Sequence, residues 1–352
     1  TASQAGNAEY DPAPDVPRTF NVTKATATVN LTGLTQTYDG SPRVVGVTTI
    51  PSGKTVNLSY AGSSTPPTNA GSYAVVATID DPIYQGIRNS TLTVNKASQT
   101  ISFGAITDKL ANATVNLSAT GGASGNPVTF AVTDGPASIN GGNQLSFTGA
   151  GSVTVTAYQA GNTNYNAATP VARTFNVIKA NATVTISNEI QVYNGTPRSV
   201  TVTTSPPGLS HTVSYIGQPG PPTNVGIYGV NATITDPRYD GFDAADLVIQ
   251  KAPQSINFPT PPDTVETAVL NLGATGGGSG NTVTFAVTNG PAFLSGPAQL
   301  RFNGAGSVTI TASQAGNSNY FAATPVARTF LVDDSTAGIT ISDLLQVADG
   351  TP

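Results

Sequence analysis

The sequence predicts an all-β protein, a tandem array of antiparallel β-sandwich domains. Thr, Ser, Val, Asn and Gly dominate the chain, with 37 Gly and 26 Pro among 352 residues, and this composition favours strands and turns. Short runs of alternating apolar and polar residues are separated by Gly and Pro every 8 to 15 residues, as in sandwiches of short strands. No window has the 3.6-residue period of a helix, so we expect almost no helix.

A repeat of 155 residues organises the chain, which aligns with itself at that offset without a gap. Residues 156–175 recur at 311–330 with 17 of 20 positions identical, and residues 1–20 are a third copy. Each repeat divides into a unit of 72 residues and a unit of 83, here termed A-type and B-type. Both lengths are sufficient for independent folding. Each unit begins at a Lys-Ala pair, at Lys24, Lys96, Lys179 and Lys251.

These starting points define the predicted domains. Residues 1–23 are predicted to be the C-terminal part of a B-type domain, and residues 334–352 the N-terminal part of an A-type domain. We therefore expect the sequence to be an excerpt of a longer repeat protein. The complete domains between them are A1 (24–95), B1 (96–178), A2 (179–250) and B2 (251–333).

The A-type unit predicts strands joined by turns. In A1, Tyr73, Val75, Ala77 and Ile79 occupy alternate positions and should share one face of a strand. The preceding segment, SSTPPTNAG, contains two prolines and a glycine and predicts a loop. Further strands are predicted at residues 25–31, 55–60 and 91–94, with a turn at 38–42.

The B-type unit has the same pattern. It opens with QTISFGAI, followed by a predicted strand at residues 114–119 and a turn at Gly121-Gly122. The residues predicted to face inward alternate in three later segments: Val128, Phe130 and Val132; Leu145 and Phe147; Val153, Val155 and Ala157.

Short connections predict stiff junctions between domains. Only about two residues separate the last predicted strand of B1, ending FNVIK, from the first of A2, ATVTI, and no Gly- or Ser-rich spacer lies between them. Such a connection cannot swing as a flexible linker does. We therefore expect an elongated rod of about 35–45 Å per domain, since strands rise about 3.3 Å per residue.

Composition excludes several classes of function. The net charge is −5 and the 14 Lys and Arg are scattered singly, whereas nucleic-acid binding needs a clustered basic face. No apolar run is long enough to span a membrane within this sequence. The absence of Cys excludes disulfides, thiolate metal sites and Cys nucleophiles.

The two unit types resemble two known families, and the motifs that carry these resemblances together cover nearly the whole chain. The A-type unit resembles the MBG domain, an Ig-like repeat of giant bacterial surface proteins, through YDGSPRVV and YNGTPRSV, PPTNAGSY and PPTNVGIY, and the closing Lys-Ala. The B-type unit resembles a bacterial Ig-like repeat through QTISFGAI, VTFAVTDGPASI and LSFTGAGSVTVTAYQAGNTNYNAA. The resemblance implies Ig-like sandwiches in a large secreted or outer-surface protein of adhesin or filament type. Tyr73 and Tyr228 then resemble the tyrosine corner of Ig-type folds.

The sequence predicts no metal site and no cofactor, and calcium is the alternative. Carboxylates are hard oxygen ligands that suit Ca²⁺, but the acidic pattern differs between A1 and A2 and lacks a DxDxDG loop, so we expect solvated loop carboxylates. The candidates are Asp80, Asp81, Asp236 and Asp240, with Asp243 and Asp246 nearby.

Other candidate chemistry is weaker. His211, the single His, lacks a partner constellation for catalysis or metal binding and should lie on a strand surface. The segment TGGGSGN at residues 275–281 resembles a phosphate loop but has no following helix and predicts a turn. Lysines at unit starts could form Lys-Asn isopeptide bonds, although Glu is scarce, at Glu9, Glu189 and Glu266. Nine Asn-x-Ser/Thr sequons, including Asn112, Asn181 and Asn231, are potential glycosylation sites.

Together these observations predict a structural segment of an extracellular protein, a stalk or filament without catalysis. Expected partners are neighbouring repeats of the same chain or copies of it, because Thr- and Val-rich edge strands with few charges can pair. The alternative is an adhesin whose repeats bind polysaccharide or another cell surface. The absence of Trp weakens that alternative, since aromatic platforms commonly hold sugars.

Overall fold

The computed structural model describes residues 1–335, and strands are the only regular secondary structure in that part of the chain. The prediction of an all-β fold of repeated sandwiches is confirmed. The chain divides into two compact units, Thr1–Lys179 and Ala180–Pro352. The predicted start of a further A-type domain at 334–352 falls, except for its first two residues, outside the described residues.

In the first unit, residues 1–23 contain β1 (Ala2–Gln4) and β2 (Ala13–Val16), which pair antiparallel and are exposed throughout. Domain A1 follows as a four-stranded sheet, ordered β5-β10-β8-β7, with the smaller sheets β4-β6 and β3-β9. Its strands are β3 (Ala25–Thr26), β4 (Thr28–Thr32), β5 (Thr35–Thr37), β6 (Gly46–Ile50), β7 (Val56–Tyr60), β8 (Gly71–Ile79), β9 (Tyr84–Gln85) and β10 (Ile87–Asn95).

Domain B1 is built from a four-stranded sheet, β12-β19-β18-β15, a three-stranded sheet, β13-β17-β16, and the pair β11-β14. Its strands are β11 (Ser102–Phe103), β12 (Lys109–Leu110), β13 (Thr114–Asn116), β14 (Ala119–Thr120), β15 (Val128–Asp134), β16 (Ala137–Asn140), β17 (Gln144–Phe147), β18 (Gly151–Gln159) and β19 (Val171–Ile178).

The second unit repeats both architectures, with sheets β22-β27-β25-β24, β21-β23 and β20-β26 in A2, and β28-β34-β33-β30 and β29-β32-β31 in B2. The strands of A2 are β20 (Ala180–Asn181), β21 (Thr183–Ser187), β22 (Ile190–Val192), β23 (Thr201–Ser205), β24 (His211–Tyr215), β25 (Gly226–Ile234), β26 (Tyr239–Asp240) and β27 (Phe242–Gln250). Those of B2 are β28 (Thr264–Val265), β29 (Val269–Asn271), β30 (Val283–Asn289), β31 (Ala292–Leu294), β32 (Gln299–Phe302), β33 (Gly306–Gln314) and β34 (Val326–Asp333).

The alternating residues form the cores. In A1, Val75, Ala77 and Leu92 are fully buried, and in B1 the predicted inward positions of β17 and β18 are buried as well. Each cluster of buried apolar side chains lies within a single predicted domain. A period of two residues therefore located the core correctly, because it places every second side chain on one face.

Two predicted strands are wrong as continuous elements. The strand predicted at 25–31 is interrupted at Ala27, whose N–H donates to Gln85 O at 2.8 Å: β3 pairs with β9, whereas β4 pairs with β6 in another sheet. The strand predicted at 114–119 is divided into β13 and β14, which also belong to different sheets. Alternation continues through each break because the residues at the breaks, Ala27 and Leu117, are themselves buried, so the pattern does not reveal that the chain changes sheet.

The last strand of each complete domain pairs parallel with an early strand of the same domain. The pairs are β5 with β10, β12 with β19, β22 with β27 and β28 with β34. The parallel register covers three residue pairs in A1 and A2 and two in B1 and B2. The first and last portions of every domain are thus joined directly by backbone hydrogen bonds. Among the described residues, no helix could cross a membrane.

Candidate functional site: the contact between A-type and B-type domains

The connection from A1 to B1 is longer than the connection from B1 to A2, for which about two residues were predicted. Asn95 ends β10 and Ser102 begins β11, so six residues separate the strands, whereas Lys179 alone separates β19 from β20. The connection is nevertheless held against B1. Ala97 N–H donates to Asn164 O at 2.9 Å, and Asn166 N–H donates to Ala97 O at 2.9 Å.

A loop of B1, residues 161–165 and here called the docking loop, reaches across to A1 through one carboxamide. The Asn164 Oδ1 atom accepts the N–H of Ala70 at 2.9 Å, and its Nδ2 atom donates to Asn69 Oδ1 at 3.0 Å. Both partners lie in the A1 loop that precedes β8. Because the Asn164 carbonyl also accepts from Ala97, this residue binds B1 to both the connection and A1.

Two tyrosine rings complete the contact. Tyr38 of A1 and Tyr165 of the docking loop meet edge to face, with ring centroids 5.4 Å apart and an interplanar angle of 81°. Edge-to-face pairs of this kind contribute about 0.5–1.5 kcal/mol beyond the area that they bury. The rings therefore add an apolar contact to the polar one made by Asn164.

The docking loop is shaped by its own hydrogen bonds. The Asn162 Oδ1 atom accepts the N–H groups of Asn164 at 2.8 Å and Tyr165 at 2.9 Å, an Asx turn that fixes the backbone. The Asn162 N–H donates to Tyr165 O at 3.0 Å. A Cβ atom at Gly161 would clash with that same Tyr165 carbonyl oxygen, so the loop requires glycine at this position.

A second loop of B1, residues 121–126, supports the docking loop through two buried glutamines. Gln159 is only 3% exposed; its Oε1 accepts from Gly122 N–H at 2.7 Å and its Nε2 donates to Asn126 O at 2.8 Å. The Oε1 atom of Gln99 accepts from Ser124 N–H at 2.9 Å. Two further bonds of 2.9 Å reach the docking loop itself, from Asn126 Nδ2 to Gly161 O and from Asn162 Nδ2 to Ser124 O. Bonds within B1 therefore hold the docking loop in place.

On the A1 side, Asn69 is positioned by Tyr73. The Tyr73 hydroxyl donates to the Asn69 carbonyl, four residues upstream, at 2.9 Å, which is the hydrogen bond expected of a tyrosine corner. Tyr73, which resembles a tyrosine corner in the sequence, therefore fixes the A1 loop that receives Asn164.

The second unit contains the same contact. Asn319 Oδ1 accepts from Val225 N–H at 3.0 Å and Asn319 Nδ2 donates to Asn224 Oδ1 at 3.1 Å. The rings of Tyr193 and Tyr320 lie 5.3 Å apart at 80°. Each distance agrees with its counterpart in the first unit to within about 0.1 Å, a finer match than the general scatter of hydrogen-bond lengths.

A third docking loop lies near the start of the chain and has the same shape. Asn7 Oδ1 accepts the N–H groups of Glu9 and Tyr10, each at 2.9 Å, and Asn7 N–H donates to Tyr10 O at 2.8 Å. The Tyr10 ring is 74% exposed. The same turn therefore occurs in all three copies of the loop.

Comparison with known families identifies the A-type units. The MBG domain family model matches residues 27–98 and residues 182–253. The chain contains two MBG domains. The matched ranges begin three residues later than the predicted A1 and A2. The resemblance of the B-type units to bacterial Ig-like repeats stays a prediction, and no curated protein sequence matches the chain.

Solved structures with a similar fold are themselves tandem-domain proteins. They include Drosophila N-cadherin EC1-4, with 12% identity over 77% of this chain and 85% of that one at a TM-score of 0.23. Sidekick-1 immunoglobulin domains 1-4 show 14% identity over 89% and 95% at 0.23, and surface layer protein SbsC domains 1-6 show 14% over 77% and 46% at 0.25. Superpositions this weak say nothing about the function of the chain.

In the first MBG domain, the predicted calcium ligand Asp81 is engaged in local bonds. Its Oδ1 accepts the N–H groups of Ile83 at 2.8 Å and Tyr84 at 2.9 Å, and its Oδ2 pairs with Lys54 Nζ at 3.2 Å. The Ile83 N–H is the main reason that the pKa of Asp81 is lowered, with Tyr84 and Lys54 adding to the effect and desolvation opposing it. The neighbouring Asp80 accepts from an Asn side chain.

In the second MBG domain, the candidates are similarly dispersed. Asp236 Oδ1 accepts from the backbone N–H of Arg238 at 2.8 Å, Asp240 is exposed at the end of β26, and Asp243 Oδ2 accepts from Ile186 N–H at 2.9 Å. Across residues 1–335, no three His, Asp or Glu side chains come together as potential metal ligands. That these are solvated loop carboxylates stays a prediction, and calcium binding stays the untested alternative.

Three of the lysines at unit starts donate to backbone carbonyls. Lys24 Nζ lies 2.8 Å from Asp81 O, and Lys96 Nζ lies 2.7 Å from Asn162 O. Lys251 makes the equivalent bond to Asn317 O at 2.7 Å. Lys96 and Lys251 thereby tie the connection to the docking loop. An isopeptide bond at these lysines stays a prediction.

The remaining candidates are His211 and the glycine-rich loop of B2. His211 is exposed at the start of β24, and its Nδ1 is 3.0 Å from Leu209 O. The loop at residues 275–281 is the B2 counterpart of the supporting loop: Gln314 Oε1 accepts from Gly277 N–H at 2.7 Å and Gln254 Oε1 from Ser279 N–H at 2.8 Å. Its glycines therefore admit two glutamine side chains, where a Cβ would clash.

A charged turn distinguishes the first MBG domain from the second. Arg43 Nη1 pairs with Asp39 Oδ2 at 2.7 Å, and Arg43 Nη2 donates to Thr37 O. The pKa of Asp39 is lowered chiefly by the hydrogen bond from Ser41 N–H, with Arg43 lowering it further and desolvation opposing both.

In the second MBG domain, Asn194 replaces the aspartate. Its Oδ1 accepts from the N–H and the hydroxyl of Thr196, at 3.0 and 2.8 Å. No ion pair to Arg198 is present in the described part of the chain, and its Nε, like that of Arg43, is buried without a hydrogen-bond partner. The two domains thus share an arginine but not its carboxylate.

Proposed function

We propose that this chain is a non-catalytic spacer of an extracellular surface protein, in which each MBG domain and the B-type domain after it form one stiff pair. The observation that carries the proposal is the docking-loop contact, present in both units with the same atoms and distances. Low net charge density and the absence of Cys and Met suit an exposed, oxidising location. The MBG family supports a place at a bacterial cell surface.

Resistance to tension is the mechanical part of the proposal. Tension on a domain in a tandem chain is applied at its two ends, and in each complete domain the last strand is hydrogen-bonded in parallel to an early strand. Pulling the ends apart slides two such strands past each other, so several backbone hydrogen bonds must break together. Strands that could separate one bond at a time would yield at lower force.

The contact between domains determines how tension reaches them. Residues 96–101 could straighten if they were free, but Ala97 is bonded to Asn164 of the docking loop and to Asn166 just after it, and Lys96 is bonded to Asn162 O. The connection is therefore part of the folded unit. We propose that each pair acts as one stiff element of a stalk.

Single-molecule stretching of the 352-residue chain, held at its two ends, tests this proposal. We expect four separate unfolding events, each lengthening the chain by about 22–26 nm, because 72 or 83 residues extend to at most about 26–30 nm at about 3.6 Å each and the folded domain already spans about 4 nm. Smooth extension without such events would refute a tension-bearing spacer. A glycan array run with the same protein addresses the adhesin alternative, and reproducible binding to one class of polysaccharide would favour it.

A further inference from the structure

The three docking loops differ at the residue that crosses to the MBG domain. Asn164 and Asn319 occupy this position in the two seated loops, and Glu9 occupies it in the loop near the start of the chain. The backbone of the three loops is the same, since Asn7, Asn162 and Asn317 each accept two N–H groups at 2.8 to 2.9 Å. The only other position that differs within the loop carries a small side chain in all three copies, Ala8, Thr163 and Ser318.

Asparagine and glutamate at this position differ in the hydrogen bonds that they can make. A carboxamide both donates and accepts, and Asn164 uses both functions, towards Asn69 and towards the Ala70 N–H. A glutamate carboxylate only accepts and is one methylene longer. In the contact, one carboxylate oxygen would accept from the Ala70 N–H and the other would face Asn69, which is exposed. A Lys or Arg at that position would give the second oxygen a charge-assisted hydrogen bond, roughly twice as strong as one from a neutral donor.

We infer that the residue at positions 9, 164 and 319 selects the MBG domain on which a docking loop sits, and that the Glu9 loop fits an MBG domain carrying Lys or Arg at the position of Asn69. The exposed Tyr10 ring is the ring that would meet the partner's tyrosine, as Tyr165 meets Tyr38. The inference rests on the proposed function, because it assumes that the seated loops hold the domain pairs together.

The test transfers the Glu9 chemistry into the first unit of the full chain. Hydrogen exchange of the Ala70 amide reports docking, and the Val225 amide of the unaltered second unit is a control within the same molecule. Asn164→Glu should raise exchange at Ala70 about tenfold, as expected when about 1.4 kcal/mol of docking free energy is lost. Asn69→Lys combined with Asn164→Glu should return exchange at Ala70 to near the original rate.

Each outcome decides one part of the inference. Slow exchange at Ala70 in Asn164→Glu alone would show that the residue at this position does not select the partner. If the double variant does not restore slow exchange, the proposal that the partner carries Lys or Arg at the position of Asn69 is wrong. Rescue that weakens in high salt would support it, because ion pairs near the surface are screened. The proposed function fails separately, if Ala70 and Val225 exchange rapidly in the unaltered chain.

Discussion

The two MBG domains share their contact with the next domain and differ in their surface ion pairs. Asn164 and Asn319 make the same bonds, whereas Asp39, which pairs with Arg43, is replaced by Asn194. The cation–carboxylate pair of Lys54 and Asp81 is also specific to the first domain, because Leu209 takes the place of Lys54. Exposed ion pairs contribute little to stability, so a repeat can lose them and keep its geometry.

The largest effect should come from the glutamine that supports the docking loop, and it should be equal in the two units. Gln159→Leu leaves the Gly122 N–H and the Asn126 carbonyl without their partner, which costs about 1–3 kcal/mol per buried group. Gln314→Leu should lower the stability of B2 by the same amount, measured by urea denaturation.

Gln4 provides the matched control, because it is the counterpart of Gln159 in the exposed segment at residues 1–23. Gln4→Leu should leave the urea denaturation curve unchanged. An unequal loss between Gln159→Leu and Gln314→Leu would mean that the two B-type domains are not equivalent.

A smaller effect is expected from removing the side chain that crosses between domains. Asn164→Ala deletes both bonds to A1 and should weaken the coupling of A1 to B1 by about 1–2 kcal/mol, the usual cost of one or two hydrogen bonds. Calorimetry should then show A1 and B1 unfolding at more widely separated temperatures. Glu9→Ala is the control, and a change of similar size there would contradict the assignment of the contact to Asn164.

The smallest effect should come from exchanging the residues that distinguish the two MBG domains. Asn194→Asp should give Arg198 a carboxylate partner and slightly raise the melting temperature of A2, and Asp39→Asn should slightly lower that of A1. The changes should be opposite in sign and well below that of Gln159→Leu, because all the groups are near the surface. If both variants raise or both lower the melting temperature of their domain, the effect of the aspartate does not come from its ion pair with the arginine.

Acid should distinguish the same two domains. The folded pKa of Asp39 lies below the ordinary value of 3.8, so its contribution to stability is complete above that value and is lost as the pH falls through the lower folded pKa. A1 should therefore lose more stability than A2 between about pH 5 and pH 2, because carboxylates with a lowered pKa take up their proton in this range. Asp39→Asn should reduce that difference, as followed by melting temperature against pH.

The sequence predicted the fold class and the cores but not the contact between domains. Alternation at Val75, Ala77 and Ile79 directly reports a buried strand face. Asn164 and Asn69, however, are separated by 95 residues, and no local period connects them. The available signal was the recurrence of Asn-Tyr at 164–165 and 319–320 together with Thr-Asn before both tyrosine corners. Those motifs identified the repeats without showing that they meet.

The measurement that bears most directly on the stiff pair is the distance between A1 and B1 in solution. The chain has no Cys, so Thr78→Cys and Ser118→Cys, both at exposed positions, give two unique sites for spin labels. Pulsed electron paramagnetic resonance should give one narrow distribution of the distance between the two labels, and this distribution should broaden in Asn164→Ala. A broad distribution in the unaltered background would contradict the pairing of each MBG domain with its neighbour.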